Sequence, residues 1–322
     1  MKKIIYVVLL ILTTTLSNSY AQEEIIDFLN AGVKDANALG QAYLKPYGEM
    51  LGVNLNGGWY NSAKVHKVLG FDVMFSASYA KVPTEGMSFD ANEIGLKNVS
   101  PTGDGITPTM AGSKSEAQTF RDDVTGAELT IKGSDLNFFV SPMLQAAVGL
   151  PFHTEVIGRY MPKVDMMDYG KVSLWGLGVK HSIKEYIPFV KRVPMLQLSV
   201  LGAYTNFSSN LGVEYGDNSG KLEIGANAYS ARLLAGLNFP VICFYTGMGY
   251  GSTSSNFDVL GSFSGIPGEV TAVENPISLA YSTDGFDFNV GMRLRLAIFA
   301  IYVDYTVGDY SVITAGVGLN FR

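Results

Sequence analysis

Between Gly285 and Tyr305, oily and polar residues alternate. Phe286, Phe288, Val290, Met292 and Leu294 share one parity; Asp287, Asn289, Gly291, Arg293 and Arg295 share the other. Side chains on a strand point to alternate faces, so this is a strand with one oily face and one charged face. The pattern recurs at 71–79, 141–150, 154–162, 170–180, 196–207, 227–237, 241–251, 298–307 and 310–322, giving ten predicted strands in all. Ten residues at about 3.4 Å each, tilted near 45°, cross a hydrocarbon core. Two architectures fit. A soluble sandwich turns the oily face inward, whereas a membrane barrel turns it to lipid and keeps the charges inside.

The links favour the barrel. Those at 151–153, 238–240 and Ala297 are short; those at 82–137, 206–220 and 252–284 are long and rich in Gly, Ser, Asn and Asp. Membrane barrels have short periplasmic turns and long outer loops. If the first strand rises from the periplasm, the short links fall inside, the long ones outside, and the even strand count returns the chain to the periplasm. The link at 307–309 is short but falls outside. Extra hairpins at 127–133 or 278–283 would raise the count to 12 or 14. Leu233 to Tyr250 is the most apolar long stretch, but Asn238 and Pro240 split it into two strands and a turn. The expected class is therefore all-β: an antiparallel transmembrane β-barrel.

The N-terminus changes the compartment. A basic Met1-Lys2-Lys3, an apolar run from Ile4 to Leu12 and a polar stretch ending Ser19-Tyr20-Ala21 form the order of a secretory signal peptide cleaved after Ala21. Loss of Lys2 and Lys3 leaves 23 − 2 = 21 basic against 29 acidic residues, a formal charge of about −8. That balance excludes a polybasic nucleic-acid surface. The single cysteine, Cys243, allows no internal disulfide. Closure of a barrel stabilises such a chain, because every strand edge is paired. The alternating final strand ends in a penultimate aromatic, Phe321, like the last strand of outer-membrane barrels. The expected location is the outer membrane of a Gram-negative bacterium, with the protein a monomer among outer-membrane lipid.

Residues 23–50 do not alternate. Ile25, Ile26, Leu29 and Val33 recur at helical spacing, and Gly40 and Pro46 would end or kink such a helix. A helical segment over 22–66, starting on the periplasmic side, is large enough to fill the lumen of the barrel at 67–322. Leu39-Gly40-Gln41-Ala42-Tyr43 and Asn61-Ser62-Ala63 resemble the N-terminal hatch of the FadL-like transporters of fatty acids and hydrocarbons, with Ser62 where that family has Pro; the chain is similar in the same way to uncharacterised barrel families of exported bacterial proteins, to one of which it would then belong. The resemblance implies 14 strands, a plugged lumen and sideways release of a fatty-acid-like or other hydrophobic ligand. A barrel that holds a partner protein, or a purely structural barrel, is the alternative.

Catalytic chemistry is not visible. The histidines are His66, His153 and His181, and adjacency of His181 to Ser182 makes no dyad. No zinc-ligand cluster is present, and Asp90, Asn92, Glu93, Asp217 and Asn218 lack the spacing of a calcium loop. Neither enzyme activity nor a cofactor is expected. Glu155, Arg159, Asp287, Arg293, Arg295 and Asp304 are predicted to face the lumen and to pair there, with Arg293 and Arg295 opposite Asp304. Trp59, Tyr79, Tyr160, Tyr305 and Tyr310 are expected in an interfacial girdle.

Overall fold

The computed structural model describes residues 25–165 and 171–321; the leader expected over 1–21 lies outside them. Ten strands close into one antiparallel barrel. They are β1 (Phe71–Lys81), β2 (Phe138–Leu150), β3 (Thr154–Asp165), β4 (Lys171–Ser182), β5 (Leu196–Tyr215), β6 (Asn218–Asn238), β7 (Ile242–Leu260), β8 (Ile277–Leu296), β9 (Phe299–Val307) and β10 (Val312–Phe321). Each pairs with its chain neighbours, and β1 closes the ring against β10 from Phe71↔Phe321 to Ala80↔Val312. Among the described residues the barrel has ten strands, not the 14 implied by the hatch resemblance. Glu128–Lys132 is a strand of a small sheet outside the barrel, and 278–283 lies within β8.

The oily rows face outward. Phe286, Phe288 and Val290 stand exposed on β8, while Asn289 and Arg293 of the opposite parity are buried. No soluble sandwich shows this polarity; lipid is the solvent that matches it. Near one end of the barrel the polarity reverses without a change of parity. On β7 the outward row runs Phe244, Met248 and Tyr250, then Ser254 and Asn256; the inward row gains Phe257 and Val259 at that level. On β8 the outward row passes from Phe286 to Asp284, Ser282 and Ser278, as Tyr281, Leu279 and Ile277 turn inward. The crossover is marked by aromatic rings: Tyr204 pairs across the ladder with Tyr229, and Tyr250 with Phe286. The Tyr204 hydroxyl donates to Asn227 Oδ1 (2.6 Å) and that of Tyr250 to Asp284 Oδ2 (2.8 Å). Aromatic residues with one oily and one wet end belong at a membrane interface.

Above that belt β5 to β8 continue as a water-exposed wall with an apolar inner face. The links expected at 206–220 and 252–284 are therefore mostly strand. β5 and β6 join through Gly216 and Asp217 alone, and only 261–276 separates β7 from β8. This end also carries the segment 82–137, folded into two small sheets: Ser88–Asp90 with Ile106–Pro108, and Val99–Pro101, Ala117–Asp122 and Glu128–Lys132. It is the loop end. The turn end carries 151–153, 183–195, 239–241 and 297–298, where Phe152, His153 and Ala297 take the positive φ of tight turns.

The N-terminal segment fills the lumen. A 3-10 turn (Phe28–Ala31) is followed by helices α1 (Val33–Tyr43) and α2 (Lys45–Asn56). Gly32 separates the turn from α1 at φ 81°. Gly40 does not end α1; it lies against Leu279 of the wall. Pro46 falls in the first turn of α2, where a missing N–H costs nothing, so the kink sits at Leu44 instead. The segment runs opposite to expectation. Residues 25–31 lie at the loop end among Val99, Phe120, Phe263 and Ile266, and the chain descends along β8 to the turn end, where β1 begins. The apolar side chains at its start find apolar wall only above the interface.

Candidate functional site

Contacts between plug and wall change character with depth. At the loop end, Asp35 of α1 accepts hydrogen bonds from the backbone N–H groups of Lys97, Asn98 and Val99 at 2.7 to 3.1 Å, tying the plug to the outer segment. Asn37 Nδ2 donates to Pro276 O (2.8 Å), and its Oδ1 accepts from Ser278 N–H (2.9 Å). Gln41 Nε2 donates to Ala280 O (2.7 Å), and the Tyr281 hydroxyl to Gly40 O (3.1 Å). The plug thus satisfies backbone and side-chain polar groups of β8 as it passes. Phe28, Leu29, Leu39 and Tyr43 pack against Leu222, Ile224, Phe257 and Leu279, forming an apolar chamber filled by the chain's own start.

Mid-lumen, wall arginines hold the C-terminal carbonyls of α2. Arg159 donates to Leu55 O (3.3 Å), Gly57 O (2.7 Å) and Gln145 Oε1 (2.9 Å). Its guanidinium lies 3.8 Å over the Trp59 ring. Arg232 donates to Asn56 O (3.3 Å) while paired with Asp287. The last carbonyls of a helix lack intrahelical donors and carry the negative end of its dipole, so cations from two sides of the wall complete it. Below, Tyr60 donates to Asn289, and Tyr245 to Asp304 (3.0 Å).

The turn end is ionic. Glu155 pairs with Lys180 (2.8 Å) and His66 Nδ1 (2.7 Å), and His66 Nε2 meets Asn320 Nδ2 (2.8 Å). Asn61-Ser62-Ala63 is gripped by three strands. Arg293 donates to Asn61 Oδ1, Lys180 Nζ to Ser62 O (3.3 Å) and Ser199 Oγ to Ala63 O (2.9 Å).

Of the residues singled out above, Leu39, Gly40 and Tyr43 are buried in the plug core and Ala42 is half-buried. Glu155, Arg159, Arg293 and Asp304 are buried inside the wall; Asp287 and Arg295 are partly exposed. The expected facing of Arg293 and Arg295 with Asp304 does not occur. Register places Tyr302 opposite Arg293, Ala300 opposite Arg295 and Gly291 opposite Asp304. Arg295 instead donates to Phe239 O and Pro240 O (3.1 and 3.2 Å). Trp59 and Tyr310 are not girdle residues. Both are buried, Trp59 under Arg159 and Tyr310 donating to Glu49 (2.6 Å); Tyr79, Tyr160 and Tyr305 do face outward. Lys180 and Arg232, which do the pairing, share the inward parity of their strands, and that parity was the signal for them.

His153 sits in a turn, and His181 Nδ1 meets Thr154 Oγ1 (2.9 Å), while Ser182 Oγ donates to Leu198 O (3.4 Å). Among the described residues no three or more His, Cys, Asp or Glu side chains gather to hold a metal. Asp90 Oδ1 accepts from its neighbour Asn92 in a local turn.

No curated protein matches the sequence. Among solved structures, Ail, the attachment invasion locus protein of Yersinia pestis, is 10% identical with a TM-score of 0.27 over 79% of this chain and 99% of its own. The outer membrane protease OmpT of Escherichia coli is 9% identical with a TM-score of 0.36, over 81% and 100%. The Pseudomonas putida toluene transporter TodX is 7% identical with a TM-score of 0.26, over 80% and 68%. These likenesses are distant, and the ten-stranded closure rests on this chain's own ladders. The matching family is one of unknown function, the alternative left open beside the FadL-like resemblance of Leu39–Tyr43 and Asn61–Ala63, and does not single out the FadL-like transporters. It is the Family of unknown function (DUF6588), which matches residues 1–321, and the chain belongs to it.

Proposed function

We propose that the protein is a monomeric outer-membrane barrel that binds a hydrophobic small molecule in its loop-end chamber and passes it inward when the plug moves. The observation that carries this reading is the polarity reversal. A water-filled lumen needs polar walls, yet above the membrane interface β6 to β8 turn Leu222, Ile224, Phe257, Val259 and Leu279 inward. Ile25 to Ala31 occupy that space as the chain's own apolar ligand. A fatty-acid-like molecule displacing them would meet the same surface. The reading places the loop end outside the cell, involves no chemical step and no cofactor, and requires no nucleic acid.

The test uses the full chain in lipid nanodiscs with a fluorescent fatty acid. Replacing Ile25, Ile26, Phe28 and Leu29 by Ser should tighten binding, because the internal competitor is weakened, and Phe257→Glu should abolish it. Equal binding by the unaltered and Phe257→Glu chains, both folded, would overturn the proposal. The firmly seated plug also suits a barrel that holds a partner at its loop end. Co-purification of another exported protein without any apolar ligand would favour that reading.

A further inference from the structure

At the turn end, a cleft between the plug and β6, β7, β8 and β10 has Ser62, Lys64, Asn238, Arg293, Arg295 and Asn320 among its lining. Its cations outnumber its anions. Arg293 is 4% exposed and lies 3.5 Å from Asp72 Oδ2 through Nη1, but among the described residues its Nε and Nη2 have no hydrogen-bond partner. The nearby carboxylate of Glu155 is engaged by Lys180 and His66. Arg295 spends only Nη2, on two turn carbonyls. Lys64 is half-buried, and its ammonium is pushed below its ordinary pKa, first by burial and then by Arg295, Lys67 and Lys184. A buried guanidinium with two idle nitrogens carries a desolvation penalty that a suitable acceptor removes. Around it stand hydroxyl and amide groups able to bond further oxygens. Such a set suits a small, multiply charged oxyanion better than an apolar molecule.

The geometry points to a phosphate-binding site at the turn end of the barrel, formed by Arg293, Lys64 and Arg295 with Ser62, Asn238 and Asn320. It lies at the opposite end of the lumen from the apolar chamber and does not depend on a ligand there. The phosphate can come from solution or from the headgroup of a phospholipid in the leaflet at that end. Both sources present the same group to the same side chains.

Radiolabelled inorganic phosphate, dialysed to equilibrium against the detergent-solubilised full chain at low ionic strength, should bind saturably. The Lys64→Gln/Arg295→Gln chain should bind roughly tenfold more weakly or worse, as loss of charge-assisted bonds predicts. Retained heat-modifiable gel mobility would show that its barrel is intact. Arg293→Lys keeps the charge but loses the planar fork, and should weaken binding as well. If native mass spectrometry finds phospholipid on the unaltered chain and not on the double variant, while free phosphate does not bind, the source is the headgroup. Neither phosphate nor phospholipid on the unaltered chain, or binding unchanged in the double variant, overturns the assignment.

Discussion

Replacing Arg159 by Leu tests whether wall arginines keep the plug seated. Arg159 is 2% exposed and gives the plug two hydrogen bonds, to Leu55 O and Gly57 O, besides its stacking on Trp59. Hydrogen bonds from a charged donor contribute about 1.5–3 kcal/mol each, so the two amount to roughly 3–6 kcal/mol before opposing terms. Burying a guanidinium costs several kcal/mol, which offsets part of that sum. Leu preserves apolar volume but leaves both carbonyls without their donor. A net loss of about 2–4 kcal/mol in seating energy is expected, or roughly a 30- to 700-fold rise in the unseated population at 1.4 kcal/mol per tenfold. Single-channel recording in a planar bilayer reads this as more frequent opening, against a quiet unaltered chain. Deletion of residues 22–60 should leak continuously and sets the upper limit. If Arg159→Leu stays as quiet as the unaltered chain while the deletion leaks, the arginine does not hold the plug. If the deletion is quiet too, the plug is not what seals the lumen.

Asp35→Ala should strand the N–H groups of Lys97, Asn98 and Val99, loosening the outer segment by about 1–3 kcal/mol and exposing 82–137 to faster proteolysis than in the unaltered chain. A Cβ on Gly48 would lie 2.7 Å from Tyr281 Cγ, so Gly48→Val should destabilise the barrel by about 1–3 kcal/mol, seen as a lower temperature for loss of heat-modifiable mobility. Asp122 is held below the ordinary carboxyl pKa, first by the Thr125 N–H, then by the Thr125 hydroxyl and the Val124 N–H. A lower folded pKa means its support for the outer turn is present above about pH 4 and fades as pH falls through the folded value. Amide exchange at Val124 and Thr125 should accelerate over that interval, and Asp122→Asn should remove the pH dependence.

The ten strands were legible because lipid imposes a strict rule. Phe286, Phe288 and Val290 must face it, whatever else the strand does. The rule lapses above Tyr250, where water faces the wall, so Ser252, Ser254, Asn256 and Asp258 looked like a loop although their ladder to β8 is unbroken. A search for the inverse pattern, polar out and apolar in at unchanged parity, would have found the extension. Which arginine meets which acid was not legible. Pairing depends on stagger between strands, and a shift of two residues replaces Asp304 by Tyr302 opposite Arg293. The direction of the plug was hidden for another reason. Ile25, Ile26 and Leu29 announce an apolar destination, but its place depends on inward residues of β6 to β8 some 200 positions later.

The plug is joined to β1 at the turn end and its first described residues lie among loop-end residues, while β1 is fastened on both sides into an unbroken ring. Its tether therefore admits withdrawal in one direction, downward past Arg232 and Arg159. Any such movement must begin by freeing Phe28 and Leu29 from the loop-end chamber, so a molecule entering at that mouth meets the part of the bolt that has to let go first, while its hinge stays fixed at the other.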